Sequence, residues 1–182
     1  MFKKGFSTKD INGRTMMKSS AIKSMKAKLI KQFPLIEPVI DEIFPKKVSV
    51  TLVKTKERIT LYIVDNKIYF FQHFDDPLVP SLQLIHMYPD ILEKAQVDRG
   101  AIKYVLSGAN IMCPGLTSAG AHLPDHNIER GTMVSVMAEG KEHAMAVGIT
   151  KMSTDEIKSV NKGIGIDLLL YLGDPVWKVV VD

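Results

Sequence analysis

The residues able to do chemistry gather in one stretch, 105–121 (VLSGANIMCPGLTSAGA), which holds the single cysteine, Cys113. A cysteine nucleophile needs a base within hydrogen-bond reach and a positive environment that lowers its pKa. His122, His126 and His143 lie downstream, but no cysteine-hydrolase signature surrounds Cys113, and its neighbours Ile111 and Met112 have core character. A buried structural thiol is therefore expected. His122 and His126 share the i, i+4 spacing of a helical zinc pair, yet Pro124 breaks that helix and the partner cysteines are missing. Exposed loop histidines are expected, with no metal and no cofactor.

Other reaction classes find little support. Neither G-x-x-x-x-G-K-[ST] nor G-x-G-x-x-G occurs. Gly163 and Gly165 in NKGIGID lead into a strand, whereas a phosphate cradle needs a helix N-terminus there. The acidic pairs Asp75-Asp76 and Asp155-Glu156 fall at turn and helix-start positions, where carboxylates cap backbone N–H groups. No acid/base constellation assembles, which argues against an enzyme.

The segment 108–116 invites two readings. In the first, Gly108 lets the backbone turn, Ala109 keeps the surface shallow and Asn110 offers an amide to a base edge or phosphate. Pro114-Gly115 adds a second turn and leaves a glycine-lined concavity, with Arg99 and Lys103 near enough to neutralise an RNA backbone. In the second, a helix cap is followed by a β-turn and both glycines are explained without a ligand.

Charge supports an anionic partner without choosing one. Nine lysines and arginines precede residue 32, against the single acid Asp10. Through Glu93 there are 15 basic and 10 acidic residues; beyond it there are 9 and 10, so the net charge of +4 sits in the N-terminal half. Such a segment suits nucleic acid or an acidic protein, or it is a solvated lysine-rich helix face. No apolar run nears the ~20 residues that span a bilayer. The start, MFKKGFSTKD, lacks the apolar core of a secretory leader. A lone cysteine fits a reducing compartment, and a cytoplasmic location is expected.

The elements that must position these residues form two series. The first runs to residue 92. A helix is expected over 19–33, capped by Ser19 or Ser20, with Ile22, Met25, Leu29 and Phe33 on one stripe and Lys23, Lys28 and Lys31 pointing away. Pro34 stops it. IEPVIDEIF forms a second short helix closed by Pro45. Strands follow in VSVTLVK, RITLYIV and KIYFFQHF, with Asp65-Asn66 as a tight hairpin turn. VPSLQLIHMYP is a short helix with Pro80 in its first turn. In the second series, DRGAIKYVLSGA is a helix ended by Gly108, and NIMCPG is a strand entering a turn. GTMVSVMAE and HAMAVGITKM are strands joined at Gly140-Lys141. STDEIKSVN is a helix with a Ser153/Glu156 capping box. GIDLLLYLGD and VWKVVV are two strands split by Asp174-Pro175. The fold class is α+β, with an N-terminal domain (1–92) packed on a small barrel-like domain (93–182).

A family resemblance sharpens this picture. The stretch VDRGAIKYVLSGANIMCPGLTSAGA resembles the opening of the PUA domain (pseudouridine synthase and archaeosine transglycosylase) in the malignant T-cell-amplified sequence proteins. The core Gly108-Ala109-Asn110-Ile111-Met112-Cys113-Pro114-Gly115-Leu116 has the general PUA pattern. MFKK, QFPLIEPVIDEIFPKK, PSLQLIHMYP, MAEGKEHAMAVGITKMS and VNKGIGID resemble further family segments in family order. The loop HLPDHNIERG departs from the pattern. The resemblance implies a ribosome-associated translation factor similar to the N-terminal part of ligatin, not an enzyme. It implies pairing with a density-regulated protein homologue, contact with small-subunit rRNA and with tRNA, promotion of tRNA release, and reinitiation. RNA contacts of PUA domains carry over to Arg99, Lys103, Gly108, Ala109 and Asn110, and to Leu170, Tyr171, Leu172 and Gly173 on a late strand. The net charge of −1 in this half suggests that Lys23, Lys28 and Lys31 share the neutralisation of phosphate. An accessory module of an RNA-modification system is the alternative reading.

Overall fold

The computed structural model describes residues 8–179. Lys3 and Lys4, and the last two residues of VWKVVV, lie outside it. Two compact units form, meeting in sequence at Leu92.

The N-terminal unit is built on an antiparallel meander in the order β1-β2-β3-β4-β5. Its strands are β1 (Ile11–Met16), β2 (Thr51–Thr55), β3 (Ile59–Val64), β4 (Lys67–His73) and β5 (Val79–Pro80). Asp65 and Asn66 both adopt the left-handed conformation, φ 49° and 58°. That is the geometry a two-residue hairpin demands, so the expected turn joins β3 to β4. Helix α1 (Ser19–Gln32) buries Ile22, Met25 and Leu29, and Phe33 at its C-cap is buried too. Its N-cap is Lys18, with no side-chain capping bond, and Ser19 and Ser20 lie inside the helix instead. IEPVIDEIF is split: a 3-10 turn covers Pro34–Val39, where Pro38 removes a helical N–H, and α2 (Ile40–Ile43) follows. Phe44 then stacks on Phe70 at 6.1 Å and meets Tyr69 edge-on at 6.3 Å. Pro80 belongs to β5, and α3 (Leu82–Met87) starts after it, capped by Ser81.

Strand β1 was not expected. INGRTM exposes five of its six residues and contains Gly and Asn, so it has neither alternation nor β-propensity. It is an edge strand held by backbone pairing to β2.

The C-terminal unit curls a mixed five-stranded sheet into a half-barrel, order β6-β8-β9-β10-β7. The strands are β6 (Glu93–Val97), β7 (Ile111–Met112), β8 (Met133–Ala138), β9 (Ala146–Thr150) and β10 (Ile164–Tyr171). Strand β6 runs parallel to β8 and was also missed; only Ala95 and Val97 are buried, too few for a clear pattern. The expected helix over DRGAIKYVLSGA is shorter: a 3-10 turn (Arg99–Ala101) and one turn of helix, α4 (Ile102–Val105). Pro114-Gly115 opens a helical turn, α5 (Pro114–Thr117), not a β-turn. Val176–Val179 forms no strand; the buried Asp174 accepts the Trp177 N–H at 2.7 Å and the Tyr171 N–H at 3.0 Å, tying the chain into a turn. Among the described residues, no helix is long and apolar enough to cross a membrane.

Helix α6 (Thr154–Val160) carries the expected capping box. The Ser153 hydroxyl accepts from the Glu156 N–H at 3.2 Å, and Glu156 accepts from the Ser153 N–H at 3.3 Å. Ser153→Ala is expected to cost about 1 kcal/mol in a urea titration. An unchanged midpoint would mean the cap contributes nothing.

Candidate nucleic-acid interface

In the C-terminal unit, α4 ends in a loop that is exposed from Leu106 to Asn110. The Gly108 N–H donates to Val105 O at 2.9 Å, and the Ala109 N–H to Tyr104 O at 3.0 Å. Gly108 sits at φ +89°, where a side chain is strained. Space adds a second reason for glycine: a Cβ there would lie 3.3 Å from the Tyr171 ring. The loop thus rests on Tyr171, which the family resemblance implied as an RNA contact. Tyr171 is half-buried against the core and serves as the floor of the loop.

Asn110 is exposed, but its amide oxygen accepts the Leu168 N–H at 2.9 Å, pinning the loop to β10. Its NH2 end remains to meet a ligand acceptor. Lys103 is exposed, with its ammonium 4.9 Å from the Tyr104 ring centre, a cation–π arrangement. Tyr104 and Leu106, not singled out from the sequence, are 58% and 42% exposed. A one-turn helix buries one side only, and Val105 takes it; that was the available signal. Exposed aromatic, cation and backbone beside one another suit base stacking with phosphate neutralisation.

The other expected contacts differ in their exposure. Leu170 is buried at 2% exposure, so its side chain belongs to the core and not to the exposed surface. Leu172 packs partly against the same core, while Gly173 is exposed at φ +84°. Gly115 is not part of an open concavity: it is half-buried, and a Cβ there would sit 3.3 Å from that of Ala101. Arg99 is exposed, and its backbone N–H binds Glu139 at 2.7 Å.

The lysines of α1 spread over its solvent face. Lys23, Lys28 and Lys31 are all exposed and point away from the buried stripe; at 100° per residue Lys31 lies about 60° from Lys28 and about 80° from Lys23, which stand about 140° apart at the two edges. Lys28 and Lys31 are neighbours at one edge; Lys23 stands at the other, beside Lys26, which is ion-paired with Asp41.

Cys113 is fully buried. Its thiol lies 3.6 Å from the Met152 sulfur and 3.5 Å from Lys162 O, and burial pushes its pKa up. A thiol with less thiolate and no access is inert, as expected. Native protein at pH 8 should react with iodoacetamide at least about tenfold more slowly than urea-unfolded protein. Equal rates would contradict burial. His126 is exposed and pairs with Glu93 at 2.9 Å; His122 is exposed and its backbone bridges to Gln96. Among the described residues no cluster of three metal-ligating side chains occurs.

The class of protein now follows. Residues 2–89 match the Pre-PUA-like domain family and 93–172 the PUA domain family. The same fold occurs in a hypothetical protein of Pyrococcus horikoshii, at a TM-score of 0.73 and 23% identity, covering 93% of this chain and 100% of that one. A conserved PUA domain protein of Thermoplasma acidophilum gives 0.69 and 20%, covering 91% and 98%.

Whole-chain similarity narrows the class to one family. Translation machinery-associated protein 20 of Saccharomyces cerevisiae is 55% identical, over 100% of both chains. Malignant T-cell-amplified sequence 2 of Homo sapiens is 48% identical over 97% of each. The chain belongs to the family of translation machinery-associated protein 20 and the malignant T-cell-amplified sequence proteins.

Proposed function

We propose that this protein is a cytoplasmic translation factor that binds the small ribosomal subunit through rRNA. It acts with a density-regulated protein homologue, promotes release of tRNA after termination and supports reinitiation. It is an adaptor and performs no catalysis. The observation that carries this reading is the exposed Lys103–Asn110 surface, fixed on Tyr171 within a PUA domain. The printed names of the relatives, which place them with the translation machinery, support it.

The PUA surface supplies Lys103, Arg99, the amide of Asn110 and the stacking face of Tyr104. Its half of the chain is slightly acidic, so Lys28 and Lys31 of the N-terminal domain add phosphate contacts. Leu170 is withdrawn from the contact set, and Tyr171 positions Gly108 rather than touching RNA.

Sedimentation of the full chain with purified small subunits tests the reading. Co-migration at low salt that weakens steeply as salt rises is the expected result. Absence from small-subunit fractions at every salt, with and without the density-regulated protein homologue, would overturn it.

A further inference from the structure

The α1 shoulder that Lys28 and Lys31 leave unoccupied borders a groove of about 600 Å³ between α1 and the turn after α2. Its rim is basic: Lys23 and Lys26 come from the helix, Lys46 and Lys47 from the turn. Asp41 is the only acid lining it, and that carboxylate is ion-paired to Lys26. Lys23, Lys46 and Lys47 are exposed and have no carboxylate partner among the described residues. Its floor is apolar, made by Ala27, Ile30, Pro45 and Val48.

We propose that this groove docks an acidic peptide segment that carries bulky aliphatic or aromatic anchors. Charge complementarity sets the sign of the occupant, since three unpaired ammonium groups surround one neutralised acid. The floor sets its class. The rim ammonium groups can meet phosphates or carboxylates alike, but the floor is aliphatic and exposes no aromatic face on which a base could stack, whereas a peptide places carboxylates on the rim and a hydrocarbon side chain on the floor.

Lys47 adds an independent observation. It is the third residue of a turn closed by the Val48 N–H to Pro45 O bond at 3.1 Å, and its φ is +65°. Glycine adopts that conformation freely, whereas lysine is strained there. Lys47→Gly therefore removes the charge while relaxing the turn, so the substitution is expected not to destabilise the fold.

The test is fluorescence anisotropy of the full chain with a fluorescein-labelled peptide, EEELDELFEE. A control peptide, EEESDESSEE, lacks the anchors, and unlabelled ten-nucleotide poly(U) competes. Saturable binding of the first peptide is expected, with the control weaker by roughly tenfold. Lys46→Glu with Lys47→Gly should weaken it by a similar factor. The proposal is overturned by no saturable binding, by equal binding of the control, by insensitivity to the Lys46 and Lys47 changes, or by poly(U) displacing the probe better than unlabelled peptide. Ribosome sedimentation is read separately with Lys28 and Lys31, so the two readings fail independently.

Discussion

Reversing Lys28 and Lys31 together to Glu is expected to weaken small-subunit binding by roughly a hundredfold at low salt and to lower the salt slope by about two. Both side chains are exposed, sit on one shoulder of α1 and are three residues apart, so they face the same partner. Each phosphate contact releases about one counterion, and a carboxylate in place of the ammonium repels the backbone it had neutralised. The fold should be indifferent, because surface changes away from special features stay within about 0.5 kcal/mol. Lys26→Glu is a poor substitute: it breaks the ion pair with Asp41 and the bond to Phe44 O, mixing stability with binding. Lys23→Glu, at the far edge of the same face, should change the slope less than the double variant does. Salt-dependent sedimentation reads all of these, and an unchanged slope in the double variant would remove α1 from the RNA surface.

The largest effect on the fold is expected from Gly148→Ala. Gly148 lies in β9 opposite Leu168 of β10, and a Cβ there would fall 2.4 Å from Ile166 Cγ2 and 2.6 Å from Asp167 O. A rotamer change can move a methyl group aside, but a strand carbonyl cannot leave without breaking its ladder. The expected cost is about 3 kcal/mol or more, with faster hydrogen exchange along β9 and β10. Gly131→Ala is the comparison: it has left-handed φ but open space, and should cost about 1 kcal/mol. The two variants separate lack of room from backbone strain. Equal unfolding midpoints would refute that separation.

Features governed by local rules were legible in the sequence. The stripe on α1, the Asp65-Asn66 turn and the Ser153/Glu156 box each follow from a few neighbouring residues, and each is present. Features set by distant pairing were not. Strand β1 owes its conformation to β2, and β6 to β8, so neither carries a pattern of its own. Leu170 came from the family resemblance, which points to a strand and not to a side chain. LLLY is apolar, and a bulge between Leu168 and Leu170 shifts the register, so alternation could not say which side chain points out. Tyr104 was passed over because the expected helix was longer than the single turn that forms.

The interface divides likewise. Lys103, Gly108, Ala109 and Asn110 were read from a glycine and its neighbours, and all four are exposed in one loop. What the sequence did not reveal is that Tyr171 lies beneath Gly108 and that Asn110 spends its carbonyl on β10. Both come from the far end of the chain, and both explain why the loop holds its shape without a ligand.

Photo-crosslinking from this loop tests the central claim most directly. With a benzophenone amino acid at exposed Ser107, ultraviolet irradiation of the protein bound to small subunits should attach rRNA to it. The same group at exposed Arg130, in the loop that departs from the family pattern, should give far less. Crosslinks from position 107 to protein alone, or equal rRNA yields from 107 and 130, would show that the Gly108 loop does not face RNA.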